Sequence, residues 1–419
     1  MLPFYNLFIR LYFIGIRFAA TWNKKAAAWI NGRKSLFEDL EKAIRDEDRI
    51  IWMHCSSAGE FEQGKPLIEA IKHEYPAHKI LLSFFSPSGF KMAHNYKYAD
   101  YITYLPLDTR KNAGDFVTLI KPELVIFVKY EFWYHHLNTV ACHDIPLLLV
   151  SAVFRKDQMF FKPYGSFFRK MLFLFRHVFV QDKLSLQLLI ENGVEQSSIS
   201  GDTRFDRVKT IANDFEPIPF VEKSLLGNNC IVAGSTWKED EEILKKVWER
   251  VQYSALKLII APHEIHKAHL DELVKIFPEA VYYSSFEQNA GELKPAAVII
   301  IDNVGLLSRL YQYATVTYVG GGFTKDGIHN ILEAAVWGKP VVFGPNYKKY
   351  REASELIQAG AGFSISTGEE LKKLADSLFT DKNHLQAAGN KAKSYIDTNT
   401  GATQKILRYI QEKRLLTKL

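Results

Sequence analysis

Cysteine is scarce in this chain, whose 419 residues contain only Cys55, Cys142 and Cys230. The number is odd and the three positions are far apart, which excludes a disulfide framework and a cysteine-based zinc site. A reducing, cytoplasmic setting is the simplest interpretation.

A large excess of one charge is also absent. The 53 Lys and Arg residues stand against 47 Asp and Glu residues, a net charge of +6. This is well short of a dedicated nucleic-acid binder but compatible with phosphorylated or membrane-surface partners. With 47% hydrophobic residues the chain is too apolar for disorder and too long for one core, so two globular domains are expected.

Three signature motifs are missing. The sequence has no G-x-G-x-x-G and no P-loop lysine followed by Ser or Thr, which makes nicotinamide or ATP binding a weak interpretation. It has no G-x-S-x-G either, which argues against a serine hydrolase with a nucleophile elbow.

The apolar N-terminus lacks a long uncharged run. Residues 1–22 are almost wholly apolar and aromatic, but Arg10 and Arg17 interrupt them before about 18 uncharged residues accumulate. The interruption argues against a simple transmembrane span and against a secretory signal.

On a helix, the polar residues of this segment fall within an arc of roughly 60°, as in a helix that lies in a lipid interface. They are Asn6, Arg10, Arg17, Thr21 and Lys24. Residues 1–35 are therefore predicted to be a membrane-associated N-terminal helix, attracted by its basic residues to an anionic membrane surface. The alternatives are a helix packed on the protein's own surface and a tilted span.

From residue 50 onward, short apolar runs alternate with helical patterns, which predicts β-α units and mainly parallel sheets. This alternation stops around Pro217 and Pro219 and resumes after them. We therefore predict an α/β protein of two tandem Rossmann-like, doubly wound domains, with ligands at the carboxyl ends of the strands. The predicted segments are 36–212 for the first domain, 213–228 for a linker, 229–397 for the second domain and 398–419 for a C-terminal helix that packs back onto the first.

The most distinctive local feature is a glycine-rich segment in the second domain. A buried strand runs into Gly321 and Gly322, and a helix is expected to open near His329 and Asn330, where free N–H groups form an anion site. Glu333, one turn further on, is suited to accept hydrogen bonds from ribose hydroxyls. The alternative is a glutamate on a solvated helix face.

Two carboxylates follow strands in the first half of the chain. Glu60 comes after the strand and tight turn of HCSSAGE, and Glu131 follows another apolar strand in KYEFW. A carboxylate at this edge is suited to take a proton from an attacking hydroxyl. For Glu60 a helix-capping role is an equal alternative, and Glu131 is expected to orient Glu60 or the acceptor.

Other candidates are polar residues after strands of the second domain. Ser235 and Thr236 are suited to donate to a phosphate or sugar, or alternatively Thr236 caps a helix with Glu239. In HEIHKAH, beginning at His263, three histidines recur every third residue, which indicates a basic patch near a phosphate more than a metal site.

Five ordered motifs together resemble the 3-deoxy-D-manno-octulosonic acid (Kdo) transferases of lipopolysaccharide assembly. They are HCSSAGE, YEFWYH, GDTRFD, AGSTWKEDEE and GGGFTKDGIHNILEAAVWGKPVVFGP. The resemblance implies a GT-B glycosyltransferase at the cytoplasmic face of the inner membrane. It further implies transfer of Kdo from CMP-Kdo to the 6′-hydroxyl of a lipid A precursor (lipid IVA), with no metal and no cofactor beyond the donor substrate.

The resemblance also implies roles for single residues. Glu60 matches the catalytic carboxylate and Glu131 the Glu of an E-x-W motif, whereas Asn330 and Glu333 match an H-N-x-x-E nucleotide site and Arg204 stands where the family usually has Lys. An inverting single displacement with Glu60 as general base follows from these matches.

The chain departs from the family pattern at the donor site. His263 stands where a phosphate-binding Arg is usual, so Lys267 or Lys325 is the expected substitute. Tyr134 and His135 replace Pro and Asn, and further replacements flank the H-N-x-x-E site. Two other functions remain open: a GT-B enzyme that uses a UDP-sugar (a transferase or 2-epimerase), and a non-catalytic, membrane-associated nucleotide-sugar binder.

Overall fold

A computed structural model describes residues 1–129, 131–225, 227–248, 256–288 and 296–417. The chain divides into two compact units. The first combines Met1–Arg207 with Thr400–Leu419, and the second is Val208–Asn399.

The described helices are as follows. The first unit begins with α1 (Leu2–Ala19), α2 (Lys24–Asn31), α3 (Leu36–Ala43), α4 (Ala58–Glu74), α5 (Pro87–Ala93), α6 (Arg110–Ile120), α7 (Tyr134–Cys142), α8 (Ser166–Leu172), α9 (Lys183–Glu191) and α10 (Thr203–Asn213). Then come α11 (Pro219–Leu225), α12 (Lys238–Trp248), α13 (Lys267–Ile276), α14 (Tyr283–Gln288), α15 (Leu307–Leu310), α16 (Leu332–Ala335), α17 (Arg351–Ala359), α18 (Gly368–Thr380), α19 (Lys382–Asn399) and α20 (Ala402–Glu412). Short 3-10 helices cover Met159–Phe161 and Tyr311–Tyr313.

Each unit contains one seven-stranded sheet among the described residues. The first sheet contains β1 (Ile50–His54), β2 (Lys79–Phe84), β3 (Tyr101–Tyr104), β4 (Pro122–Val128), β5 (Leu147–Ala152), β6 (His177–Val180) and β7 (Ser197–Ile199). The second contains β8 (Asn229–Thr236), β9 (Leu256–Pro262), β10 (Ala280–Tyr282), β11 (Val298–Ile300), β12 (Val316–Val319), β13 (Val341–Phe343) and β14 (Gly362–Ser364).

All neighbouring strands are parallel, in the orders β3-β2-β1-β4-β5-β6-β7 and β10-β11-β9-β8-β12-β13-β14. The central strands are buried on both faces, which explains why they read as continuous apolar runs. Because successive side chains point to opposite faces, Trp52 of β1 packs in one core and Met53 in the other. The predicted pair of parallel α/β domains is confirmed.

Three strands were not predicted. β7, β10 and β14 have three residues each and lie at or beside the ends of their sheets. The equally short β11 and β13 have wholly buried side chains, whereas the side chains of these three strands are only partly buried, so no continuous apolar run marks them.

The division into units differs from the predicted boundaries. It falls after Arg207, inside α10, and α11 occupies part of the segment predicted as a linker. Val221 and Leu225 of α11 are buried, and a proline at the first helical position needs no N–H partner, so the segment folds as a short packed helix. Leu226, in the same predicted linker, lies outside the described residues.

The C-terminal helix returns to the first unit, as expected. Ile406 and Ile410 of α20 are buried in the same core as Phe61 of α4. Asp206 accepts hydrogen bonds from the backbone N–H groups of Gly401 (2.5 Å) and Thr403 (2.6 Å), which fixes the start of α20.

The N-terminal segment forms two helices where one was predicted. α1 ends at Ala19, and Asn23 caps α2 by accepting from the N–H groups of Lys25 and Ala26. Asn6, predicted for the polar solvent face, instead faces the protein, since its Oδ1 lies 2.6 Å from Nε2 of His135.

One face of α1 packs on the first unit and the other is exposed and apolar. Ile9 is buried, and the hydroxyl of Tyr5 donates to the buried carboxylate of Asp108. The exposed large apolar residues of this segment are Phe4, Leu7, Phe8, Leu11, Ile14, Phe18 and Trp22. Among the described residues, no helix is long and apolar enough to cross a membrane.

Candidate active site

Glu60 lies in the first turn of α4, directly beyond the carboxyl end of β1. Its carboxylate accepts from the N–H of Ser57 at 2.9 Å, and the N–H of Glu60 donates to the Ser57 hydroxyl at 3.5 Å. The helix-capping interpretation is therefore correct. The same side chain is only 7% exposed, and burial, together with the charge of Glu131, raises its pKa to about 7.

Glu131 follows β4, the strand next to β1. Its carboxylate accepts from the indole N–H of Trp133 at 2.5 Å and lies 3.8 Å from Nε2 of His54. Burial raises the pKa of Glu131, but interactions with His54, Ser56 and Trp133 outweigh burial and lower it below its ordinary value.

The two carboxylates therefore titrate far apart. Glu131 is ionised at neutral pH, whereas Glu60 exchanges its proton close to neutral pH. Two acidic groups with separated pKa values are typical of sites where one carboxylate moves a proton and the other holds a charge.

Lys129 is a residue of this edge that the sequence analysis did not select. It directly follows β4 with φ of 70°, in the left-handed region that non-glycine residues rarely adopt, and its positive charge lowers the pKa of Glu60. Strained backbone of this kind clusters at functional sites. Local sequence gives no signal for the strain, although the position directly after an apolar strand is visible.

A cavity of about 540 Å³ adjoins Glu131 in the first unit. Its lining combines five apolar, mostly aromatic side chains with four polar ones: Phe132, Trp133, Met159, Phe160 and Phe168, and Glu131, Arg155, Asp157 and Gln158. A carboxylate beside an apolar cavity suits an amphipathic ligand.

In the second unit, the ends of β9, β8 and β12 are adjacent. Ser235 has φ of 53°, and Thr236 donates its hydroxyl to Glu241 at 2.9 Å. The suggested cap by Thr236 and Glu239 is therefore wrong. Asp240 instead accepts from the N–H of Trp237 at 3.0 Å at the start of α12.

The glycines after β12 are needed for packing against the protein's own backbone. A Cβ on Gly321 would lie 2.5 Å from the oxygen of Gly327, and one on Gly322 would lie 2.5 Å from the nitrogen of Gly344. The N–H of Gly321 donates to Asp240 at 2.9 Å. Contact between these glycines and a donor stays a prediction.

Three aromatic rings stack at this edge. His263 stacks on both Trp237 and His329, with centroid distances of 4.7 Å and 4.4 Å. The Trp237 indole donates to Nε2 of His329 at 3.1 Å. Burial, with a smaller contribution from His263, lowers the pKa of His329 to about 4, so His329 is neutral at pH 7.

The expected helix start lies further along the chain. His329 and Asn330 precede α16, which begins at Leu332 and has only four residues. Asn330 donates its amide to Glu333 at 3.0 Å and accepts from the N–H of Leu332 at 3.2 Å. Asn330 and Glu333 are thus brought together, but by a turn and not by one helix face.

The remaining predicted donor residues are more dispersed. Lys267 begins α13 and Lys325 lies between β12 and α16, and both are exposed. Arg204 belongs to the first unit, where its guanidinium pairs with Asp202 at 2.7 Å.

The histidines of HEIHKAH have separate partners. His263 joins the ring stack, whereas His266 lies 3.0 Å from Glu264 and His269 lies 3.0 Å from Glu241. Across the described ranges, no group of three or more His, Cys, Asp or Glu side chains is arranged to hold a metal ion.

The fold places the chain among α/β proteins with two parallel-sheet domains, consistent with GT-B. UDP-GlcNAc 2-epimerase from Neisseria meningitidis, solved bound to UDP-GlcNAc, superposes with a TM-score of 0.61 at 14% identity, covering 87% of this chain and all of that one (100%). The 2-epimerase of Methanocaldococcus jannaschii gives 0.54 at 16% identity, covering 86% of this chain and 99% of that one. At these identities the likeness concerns the fold alone.

Sequence similarity identifies relatives more specifically than the likeness in fold does. Residues 28–207 match the family model described as 3-Deoxy-D-manno-octulosonic-acid transferase (kdotransferase). The 3-deoxy-D-manno-octulosonic acid transferase of Aquifex aeolicus is 29% identical over 354 residues, 83% of this chain and 90% of that protein. The transferase of Rickettsia bellii is 28% identical over 384 residues, 89% of each chain.

Residues 28–207 thus match the Kdo-transferase family model, and the chain is similar to Kdo transferases over most of its length. The family resemblance predicted from five motifs is confirmed. The relatives support a glycosyltransferase activity.

Proposed function

We propose that this protein transfers Kdo from CMP-Kdo to the 6′-hydroxyl of a lipid A precursor, lipid IVA, in lipopolysaccharide biosynthesis. Glu60 is the general base of an inverting single displacement that uses no metal and no cofactor beyond the donor substrate. The observation that carries the proposal is the buried Glu60, with a pKa of about 7, beside the ionised Glu131. The Kdo-transferase relatives supply the substrate class.

The pKa of Glu60 suits a base. A carboxylate with an ordinary pKa is a weak proton acceptor, whereas one with a pKa near the working pH combines sufficient ionisation with sufficient basicity. The hydrogen bond from the N–H of Ser57 fixes the carboxylate at the edge of the sheet where ligands of such folds bind. Attack by the hydroxyl would transfer its proton to Glu60 and release CMP from the anomeric carbon.

The acceptor site is assigned to the first unit. The cavity beside Glu131 offers Phe132, Met159 and Phe168 to apolar parts of a lipid and Arg155 to an anionic group. This combination matches an acylated, phosphorylated sugar, and it lies beside the proposed catalytic carboxylates.

The donor site is assigned to the second unit. Nε2 of His329 accepts from Trp237, so the hydrogen of this neutral imidazole is on Nδ1, where it can donate to a phosphate oxygen of the leaving CMP. Asn330 and Glu333 are held together beside it and are suited to the ribose. Fixed donors at the leaving phosphate would stabilise the negative charge that develops there.

We also propose that the protein works at the cytoplasmic face of the inner membrane, attached through its N-terminus. The exposed apolar side chains of α1, including Phe4, Phe8 and Leu11, are accompanied by the exposed Arg10 and Arg17. An apolar face with basic residues suits binding to an anionic lipid surface, where a lipid acceptor resides.

The test is incubation of the detergent-solubilised protein with a Kdo-free lipid A precursor and CMP-Kdo generated in situ, followed by mass spectrometry of the lipid. The expected result is a mass gain of one or more Kdo units with wild type. A parallel incubation with UDP-GlcNAc tests the alternative suggested by the fold of the 2-epimerases. Turnover of UDP-GlcNAc without any Kdo gain would overturn the proposal.

A further inference from the structure

His54 ends β1 and is completely buried, with 0% of its surface exposed. Its Nδ1 lies 2.9 Å from the hydroxyl oxygen of Ser83 on the neighbouring strand β2. The same oxygen accepts from the indole N–H of Trp52 at 2.7 Å. On its other side, Nε2 of His54 lies 3.8 Å from Oε2 of Glu131.

These contacts favour one tautomer of the imidazole. An indole nitrogen can only donate, so Trp52 occupies a lone pair of the Ser83 oxygen and leaves the Ser83 hydrogen available to Nδ1 of His54. The imidazole hydrogen then lies on Nε2 and points toward the Glu131 carboxylate. The opposite tautomer would direct a nitrogen lone pair at an ionised carboxylate, which is repulsive.

The Nε2 atom of His54 points toward Glu131, and no other described group forms a hydrogen bond with it. It is buried and has no hydrogen-bond partner within the described part of the chain, and 3.8 Å is longer than a hydrogen bond. Burial lowers the pKa of His54 more than Glu131 raises it, so a neutral imidazole faces a charged carboxylate. A buried donor with one anionic neighbour is a directional restraint on that neighbour.

We infer that His54 is a positioning residue, which directs its Nε2–H at the Glu131 carboxylate and holds that carboxylate oriented in its ionised form. The inference rests on the proposed role of Glu60 as base. It adds a third residue to the site, one that acts through another side chain and not on the substrate.

Several neighbouring groups interact with the carboxylates of Glu131 and Glu60. The titratable or hydrogen-bonding groups that act on Glu131 are His54, Ser56, Glu60, Trp133, Tyr5 and Tyr12. Those that act on Glu60 are Ser57, Glu131, Lys129 and Cys55. His136 adds an unfavourable effect on a charged His54.

The sign of the expected effect follows from these interactions. Without the Nε2 hydrogen, Glu131 loses stabilisation of its charge and its pKa rises. Glu131 still ionises before Glu60, so Glu60 continues to titrate beside a charged Glu131 and its midpoint stays near that of wild type. A merely structural loss of packing would not single out the midpoint of Glu131.

The experiment is a carboxyl 13C NMR titration of the full chain labelled on glutamate, with Glu60→Gln and Glu131→Gln used to assign the two signals. Wild type should give a midpoint of about 7 for Glu60. In His54→Leu, we expect the Glu131 midpoint to rise by about one unit and that of Glu60 to stay near wild type. His54→Asn keeps a polar group facing Ser83 but withdraws the one facing Glu131, and it should reproduce the shift.

His54→Gln supplies the conservative rescue, because its amide can reach the place of Nε2, and both midpoints should remain near wild type. His177→Leu, at the start of β6, is the matched control and should change neither. Unchanged Glu131 midpoints in His54→Leu and His54→Asn, or a fall in either, would overturn the inference. Loss of the proposed function would be recognised separately, as Kdo transfer that persists in Glu60→Gln.

Discussion

The charge of Glu131 raises the pKa of Glu60, and the two residues stand at the same edge of one parallel sheet. Burial opposes ionisation of both, but only Glu131 has enough polar partners to stay charged. This asymmetry assigns different roles to two glutamates that look alike in the sequence.

The pH dependence of transfer should follow Glu60. A base must be unprotonated, so kcat/KM is expected to rise with pH and to level off above a midpoint near 7. The measurement is kcat/KM for the lipid acceptor between pH 5 and 9 at saturating donor. An acid limb with a midpoint near 4.5, the ordinary glutamate value, would contradict the assignment.

The free energy of unfolding should also change with pH because the pKa of Glu60 is raised. Between about 4.5 and 7 the folded protein holds a proton that the unfolded chain releases, so the contribution of Glu60 to stability falls as pH rises through this window. Glu60→Gln removes the ionisation and should be more stable than wild type above pH 7, by up to about 3 kcal/mol. Thermal unfolding at pH 5 and pH 8 tests this. Glu62→Gln, two residues further in α4, should show no such pH-dependent difference.

Trp237→Phe should weaken donor binding. The change keeps an aromatic ring against His263 but removes the N–H that donates to His329. Loss of one hydrogen bond of about 1 kcal/mol corresponds to roughly fivefold weaker CMP binding. Calorimetric titration with CMP measures it, and 15N spectra of the imidazole should show that the Nδ1–H tautomer is no longer enforced. Trp248→Phe, whose indole pairs with Glu279, is the control and should bind CMP normally.

Gly322→Ala should destabilise the second unit. The added Cβ would lie 2.5 Å from the Gly344 nitrogen and 2.6 Å from its Cα, and backbone atoms cannot be displaced cheaply. A cost of about 1–3 kcal/mol is expected, measured by calorimetric unfolding. In contrast, Gly114→Ala, inside α6 with open space around it, should stabilise by about 0.5–1 kcal/mol.

Membrane binding should depend on the exposed face of α1. Phe8 and Leu11 are 60% and 58% exposed, so replacing both by Ser should leave the fold intact while removing apolar area from the interface. At about 1.5–3 kcal/mol for each buried side chain, binding to anionic vesicles should fall at least tenfold. Val304→Ser, 87% exposed in the second unit, should bind like wild type. Equal sedimentation of both variants with vesicles would contradict the proposed attachment.

Much of the fold was predictable because buried parallel strands appear as apolar runs, such as PELVIFV in β4. The edge strands β7, β10 and β14 were not, since their side chains are only partly buried and form no continuous apolar run. The end of α1 at Ala19 was missed because the apolar composition continues beyond it, and only the cap at Asn23 marks the second helix.

The candidate site was predictable only in part. Glu131 was found because it follows an apolar strand closely, and Glu60 because it comes after an apolar strand and a tight turn. The restraint on His54 depends on Ser83, which is 29 residues away, and the partner of Trp237 is 92 residues away. Side-chain relationships across strands leave no trace in local spacing, so these residues required the structure.

The most direct test of the central claim is the rate of Kdo transfer by Glu60→Gln, with Glu62→Gln as control and CMP binding measured on both. We expect a loss of about 10²–10⁴-fold in kcat for Glu60→Gln, with CMP binding unchanged, and a normal rate for Glu62→Gln. A Glu60→Gln enzyme that transfers Kdo within a few-fold of wild type would contradict it.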